Sequence, residues 1–276
     1  MDDFTLTQAW PQTPSQVNRS LIDLFDKHGV RIILFVTASH VEDPSGRKLL
    51  NEWVDAGHTI GNHTYSHHTI NARDRTLKDF ETDVLEAEKI LQPFATYQRI
   101  FRFPALKEGN SVEVRDGMRD FLRAHGFFNG RVTVDASDWY YAERLQSRLR
   151  IDPAFDASRF MDPYVQHIRD RSLYYDNLAR EVLGRSPRHT LLVHYSFLNS
   201  QFLRNVLDMY RVLNWRVISS SDAFRDPVFR AEPKTVPAGE SLIWALAKET
   251  GRYDGRLRYP GEDDIYEKPK LDQLGL

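Results

Sequence analysis

Residues 30–37 read VRIILFVT, a near-continuous apolar run rich in β-branched residues. Such a run predicts a strand buried on both faces, as inside a parallel sheet. Before it, PSQVNRSLIDLFDKHG places Val17, Leu21, Leu24 and Phe25 at helical spacing and stops at Gly29, a helix C-cap signal. After it the alternation repeats. GRKLLNEWVDAG predicts a helix ending at Gly57, HTIGNH a short strand, and TLKDFETDVLEAEKILQPF a helix with its stripe at Phe80, Val84, Ala87 and Leu91. RIFRF, FNGRVTVD, HTLLVHY and RVISSS read as further strands, with SVEVRDGMRDFLRAHG, residues 163–183 and SQFLRNVLDMYRVLNW as helices. About six strand and helix pairs in one domain imply βαβ units and suit an α/β fold, a distorted or incomplete (β/α) barrel, better than an open sheet. Chemistry is then expected at the C-terminal ends of the strands.

The 276 residues are 41% hydrophobic and 28% charged, enough for one large domain. Residues 1–226 carry the alternation. Residues 227–276 lose it, gain Pro, Gly and charge, and read as an irregular appendage on the same domain with one helix near Glu240 to Glu249. A formal net charge of −2 gives no field for a phosphate backbone, so nucleic acid is a poor partner. No apolar run approaches the roughly 20 residues of a membrane span. Zero cysteines exclude disulfides, thiolate nucleophiles and Cys-based zinc sites, and fit cytoplasm and periplasm alike. Read as it stands, the chain leaves no room for an export signal before DDF and suits a cytoplasmic setting; an omitted upstream signal would make it periplasmic or secreted.

The sharpest local signal is GNHTYSHHTI, where His63 and His67 stand four apart directly after a strand. One helical turn there would turn both imidazoles to the same side, a natural ligand pair for a borderline metal such as zinc. Such a site also wants a carboxylate and an open position. Asp2 and Asp3 are candidates if MDD ends a barrel strand. Other strand ends add FRFPAL with Arg102, VTVDASDWYY with Asp135, Asp138 and Trp139, and TLLVHY with His194. Singly these read as a salt bridge, a helix N-cap and a core histidine. Together they set an acid, a base, a cation and a metal pair where a barrel keeps its site.

The ordered set MDD, HTYSH, RFP, DASDW and LLVH, spread over residues 1–225, resembles the five motifs of the polysaccharide deacetylases, the NodB-homology or carbohydrate esterase family 4 enzymes. DASDWYY and GRSPRHTLLVHY resemble a bacterial branch of that family. The resemblance implies a NodB-type barrel whose N-terminal strand is truncated here, since Met1 directly precedes Asp2. It also implies a divalent metal, zinc first with cobalt, nickel or manganese as alternatives, held by Asp3, His63 and His67. Asp2 is then the general base, oriented by Arg102; the Ala105 amide faces the oxyanion; Asp138 holds His194, the general acid; and Trp139 walls the pocket. The implied reaction is hydrolysis of the acetyl amide, or ester, of an N-acetylated sugar or related substrate. Ala105 stands where the family usually has an aromatic residue. Two other readings stay open: a non-catalytic glycan-binding relative and an amidase acting on a small carbon–nitrogen substrate. The first follows from aligning TLTQAWP with the aspartate motif, which puts Thr7 and Gln8 where the aspartates belong.

Overall fold

The computed structural model describes residues 1–4, 9–72, 74–258 and 263–276. Thr7 and Gln8, on which the glycan-binding alignment turns, lie outside them. In chain order the elements are α1 (Pro14–Lys27), β1 (Ile33–Val36), α2 (Pro44–Asp55), β2 (Thr59–Asn62), α3 (Leu77–Leu91), β3 (Tyr97–Phe101), β4 (Lys107–Gly109) and α4 (Val112–Ala124). Then follow β5 (Phe128–Asn129), α5 (Asp138–Ile151), α6 (Met161–Leu183), α7 (Phe197–Val212), α8 (Ser220–Ala223), β6 (Ala238–Gly239), α9 (Leu242–Glu249) and α10 (Asp263–Gln273).

The central sheet runs β1-β2-β3-β5, all parallel, with Ile33 opposite Thr59 and Ile100 opposite Phe128. Beyond β5 the pairing continues through isolated bridges, Val134 with Leu191 and Asp2 with His194. Met1 returns it to β1: Phe35 N donates to Met1 O at 2.9 Å, while Asp2 N donates to Val193 O at 2.9 Å. The result is a distorted (β/α) barrel in which Met1 and Asp2 sit between two neighbouring segments. β1 is buried throughout, as its apolar run predicts. Helix starts follow the capping chemistry of the sequence: Thr13 with Gln16 and Thr76 with Asp79 form reciprocal capping boxes.

Three predicted strands are corrected, the first being HTLLVHY, which pairs only through isolated bridges at Leu191 and His194. FNGRVTVD is a strand only at Phe128–Asn129 and pairs again only through the isolated bridge of Val134 with Leu191; between them Gly130 packs against Phe35, where an added Cβ would come within 2.7 Å of the ring. RVISSS forms no strand; Ser219 instead accepts from Asp222 N at 3.1 Å and starts α8, the local bond by which serine competes with a ladder.

From Pro227 on, the chain is tied to the barrel by antiparallel β4-β6 and by α9, whose Leu242, Ile243 and Trp244 join Tyr175 and Leu178 of α6 in one apolar cluster. A second helix, α10, follows the one that was expected. Glu108, buried in β4, pairs with Arg119 at 3.0 Å and Arg131 at 2.9 Å. Those arginines, with Arg115, donate to the carbonyls of Pro233, Ala231 and Lys234. No helix among the described residues is long and apolar enough to cross a membrane.

His58 supplies a stability test remote from the strand ends. It is fully buried against Phe25 and Trp53, and its Nδ1 accepts from Ile32 N at 3.2 Å. Burial, with Arg31 adding to it, pushes its pKa down to about 4. The unfolded chain therefore binds a proton between pH 6.5 and 4 that the fold rejects, and stability is expected to fall as pH drops through that window, by roughly 3 kcal/mol at most. Chemical denaturation of the parent and of His58→Gln at pH 7 and pH 4.5 checks this. A smaller acid loss in the variant is the expected result, and equal losses would count against it.

Candidate active site

Successive residues of a strand point to opposite faces, so adjacent aspartates should not share a site. Asp3 breaks the alternation with a left-handed backbone, φ 54°, a conformation aspartate tolerates better than most residues. Both carboxylates are thereby available at the strand ends. His63 leaves the end of β2, and the predicted helical turn up to His67 is absent. In its place Thr64 (φ 67°) and His67 (φ 60°) bend the loop, held by Thr64 N on Asn62 Oδ1 at 2.9 Å and His67 N on Thr64 Oγ1 at 2.9 Å. The rings still converge, their centroids 4.9 Å apart.

Asp3 Oδ1 lies 3.2 Å from His63 Nε2 and 2.8 Å from His67 Nε2, and the three donor atoms all fall within 4.8 Å of one another. His63 Nδ1 is 2.8 Å from the Arg102 carbonyl, which can only accept, so the ring proton sits on Nδ1 and the Nε2 lone pair faces the carboxylate. Asp3 Oδ1 is buried and, among the described residues, lacks a well-formed hydrogen bond. Lone pairs facing one another across 3.2 Å around an orphaned carboxylate oxygen suit a shared cation, so the residues present fit a divalent metal. Burial raises the Asp3 pKa, but the two histidines outweigh it and hold the carboxyl well below its ordinary range; burial lowers His67, and Asp3 more than restores it.

Beside this triplet, Asp2 is buried and both its oxygens lie 3.0 Å from Arg102 Nη1. Arg102 is fixed by Gly130 O and by the Phe35 ring, 4.2 Å beneath its guanidinium. Burial works against the Asp2 charge, yet Arg102 first and then His63 favour it, and the carboxyl stays below its usual pKa. His194 follows the bridge to Asp2. Its Nδ1 is 2.7 Å from Asp138 Oδ1, its backbone N donates to Asp138 Oδ2 at 2.7 Å, and its Nε2 faces Asp3 Oδ2 at 4.0 Å. Burial disfavours the imidazolium, but Asp138 by charge and hydrogen bond, and then Asp3 and Asp2, push its pKa up to about 10. Asp138 does not cap α5; it is the first helical residue, and its oxygens are committed to His194 and Asn199.

Asn199 is a site residue the motifs did not single out. Its Nδ2 donates to Asp138 Oδ2 and to His194 O, each at 2.7 Å, and its Oδ1 accepts from Tyr164. The available signal was its place one turn into a helix that Ser196 caps directly after LLVHY. Ala105 lies in a short 3₁₀ turn with φ 50°, exposed, followed by Leu106 at φ 57°. Trp139 is half-buried, edge-on to Tyr140 at 5.7 Å. Among the described residues neither is bonded to the Asp and His cluster.

Residues 2–127 match the family described as polysaccharide deacetylase. No curated protein sequence matches the chain. Its fold is shared by a CE4 family pseudoenzyme from Bacillus anthracis at 18% identity, over 81% of this chain and 64% of that one, with a TM-score of 0.54. The peptidoglycan deacetylase PdaC of Bacillus subtilis matches at 17% identity, over 77% and 85%, with a TM-score of 0.51. A family 4 carbohydrate esterase from Streptomyces lividans, in complex with acetate, matches at 16%, over 75% and 88%, with a TM-score of 0.50. The chain spans under two thirds of the pseudoenzyme's length, and at such identities the likeness speaks for the fold. The segment that matches the polysaccharide deacetylase family, residues 2–127, holds Asp2, Asp3, His63, His67 and Arg102 within that fold.

Proposed function

We propose that this chain is a metal-dependent deacetylase that hydrolyses the acetyl amide of an N-acetylated sugar or a closely related substrate. The observation that carries the reading is that Asp2, both oxygens 3.0 Å from Arg102 Nη1, and His194, its Nδ1 2.7 Å from Asp138, adjoin the Asp3, His63 and His67 triplet, with surroundings that drive the first pKa down and the second up. Titratable groups whose environments drive them apart are the mark of an acid and base pair.

Asp3, His63 and His67 would hold one divalent ion, zinc first. When bound, it supplies Lewis acidity toward a carbonyl oxygen and lowers the pKa of a water. Asp2, kept ionised by Arg102, takes the proton of the attacking water. The Ala105 amide is the candidate donor to the developing oxyanion. His194, held through Nδ1 by Asp138, delivers a proton from Nε2 to the leaving nitrogen, so that amine and acetate depart. With a cation held at Asp3, the His194 imidazolium would lose part of the charge support that raises its pKa, which favours its release of the proton. Trp139 is the candidate pocket wall. Residues 227–276 are read as an appendage of the same domain, and the glycan-binding alternative is not favoured because Asp2 and Asp3 carry the charges a metal pair needs.

Metal content and acetate release from chitooligosaccharides and peptidoglycan fragments test the reading. About one divalent ion per chain is expected, with activity lost on chelation and restored by metal. Because Asp3 raises the His67 pKa, uptake should displace a proton, and apparent affinity should climb with pH until His67 is neutral in the free protein. Calorimetry in buffers of differing ionisation enthalpy measures that release. Acetate release that survives complete chelation would overturn the proposal, and so would a metal-loaded chain inert on the whole panel.

A further inference from the structure

We propose that Glu267 and His167 are positioning residues for the Asp138 and His194 pair, so that the C-terminal helix α10 takes part in setting the acid of the site. The inference rests on the deacetylase reading for its kinetic consequence, and on geometry alone for the relay. Glu267 is 1% exposed, and its Oε2 lies 3.4 Å from His167 Nδ1. Tyr141 donates to the same oxygen at 3.1 Å, and Arg258 to Oε1 at 2.6 Å. Burial works against the carboxylate, but His167 and then Arg258 hold it ionised. An ionised carboxylate only accepts, so the proton shared with His167 sits on Nδ1. Nε2 is left as an acceptor, and there the Ser137 backbone N–H donates at 3.0 Å. The tautomer of His167 is therefore set by its two neighbours, the role carboxylates serve behind functional histidines. Tyr141 stacks on the ring at 4.9 Å and 30°.

What matters is where the relay ends. Ser137 is the N-cap of α5, yet its hydroxyl makes no cap bond: among the described residues its buried Oγ has no partner. The usual device that pins a helix start is missing, and His167 grips the backbone from outside instead. The next residue is Asp138, both of whose oxygens are spent on His194 and Asn199. Were the cluster only an anchor for α10, Tyr141 and Arg258 on Glu267 would suffice. The His167 bond carries the contact on to the residue whose neighbour orients the acid, at a spot where small misplacement is costly.

The test uses the full chain with its metal, comparing Glu267→Ala, Glu267→Asp and His167→Phe with the parent. Expected in Glu267→Ala and His167→Phe is a kcat lower by about tenfold or more, the usual consequence of removing an outer partner of a functional histidine. KM should stay within about twofold and metal content should not change, while Glu267→Asp recovers part of the rate. The downfield His194 Nδ1–H resonance should move in both variants, and the parent should show His167 as the Nδ1–H tautomer. Folded, metal-loaded Glu267→Ala and His167→Phe proteins with parental kcat and an unmoved resonance would overturn the relay; should one variant fail to fold, the other decides. If the parent releases no acetate, the deacetylase reading fails by itself, and the relay stands or falls on the His167 tautomer and the His194 resonance.

Discussion

Replacing Asp2 by Asn is expected to lower kcat by about 10²- to 10⁴-fold, the range that general base catalysis supplies, with the three metal donors untouched. The same change has a structural cost that must be separated from the chemical one. Arg102 is 4% exposed and both Asp2 oxygens lie 3.0 Å from its Nη1. Removing one member of a buried ion pair leaves an uncompensated charge and typically costs about 3–5 kcal/mol. Thermal melting of Asp2→Asn should therefore show a clear loss of stability alongside the loss of rate. The double variant Asp2→Asn with Arg102→Met removes both charges, and removing both is often near neutral or better for stability. It should recover much of the melting temperature and none of the turnover. Recovery of rate with stability would reduce Asp2 to a structural partner, and a fully active, well-folded Asp2→Asn would end its assignment as the base.

How much of this was legible in the sequence depends on whether the information is local. β1 and β2 are buried on both faces and α1 to α4 carry their caps in the sequence, so period and punctuation found them. RVISSS failed because a serine cluster offers side-chain bonds that beat a ladder with no partner strand alongside. FNGRVTVD is interrupted after Asn129 and pairs again only at Val134, a break that leaves no mark on its periodicity. α10 was missed because its helical stripe is weak and Pro269 interrupts it.

In the site, the residue types at strand ends were visible, while the reasons they meet were not. The helical turn expected between His63 and His67 is a loop with two left-handed residues, a conformation no propensity rule assigns to Thr or His. Asp3 turns beside Asp2 only through its own positive φ. Asn199 and His167 escaped notice because their partners lie 61 and 30 residues away in sequence, and ordinary helical spacing explains their positions without them.

The remaining large effect concerns the acid. His194→Ala is expected to cost about 10²-fold or more in turnover while leaving metal content near the parent's, because His194 touches the triplet only at 4.0 Å through Asp3 Oδ2. Loss of metal with loss of rate would instead make His194 a ligand. Asp138→Asn probes the same pair from behind. With a carboxylate at Asp138, the Nδ1 proton is fixed by the 2.7 Å contact and Nε2 is the end free to serve the substrate. An amide there can present its NH₂ to Nδ1, which then becomes an acceptor and shifts the ring proton of the neutral imidazole to Nε2. The imidazolium also loses the negative charge that, against burial, raises its pKa, so the protonated fraction falls at every pH above the new value. The alkaline limb of the kcat profile should move to lower pH in Asp138→Asn, and with it the rate near neutrality. Because Asn199 Nδ2 and His194 N both donate to Asp138 Oδ2, an amide at 138 can satisfy at most its oxygen-side partners, and some loss of stability should accompany the shift. If Asp138→Asn reduces kcat without moving the alkaline limb, the group titrating there is not His194, and the proton for the leaving nitrogen comes from elsewhere.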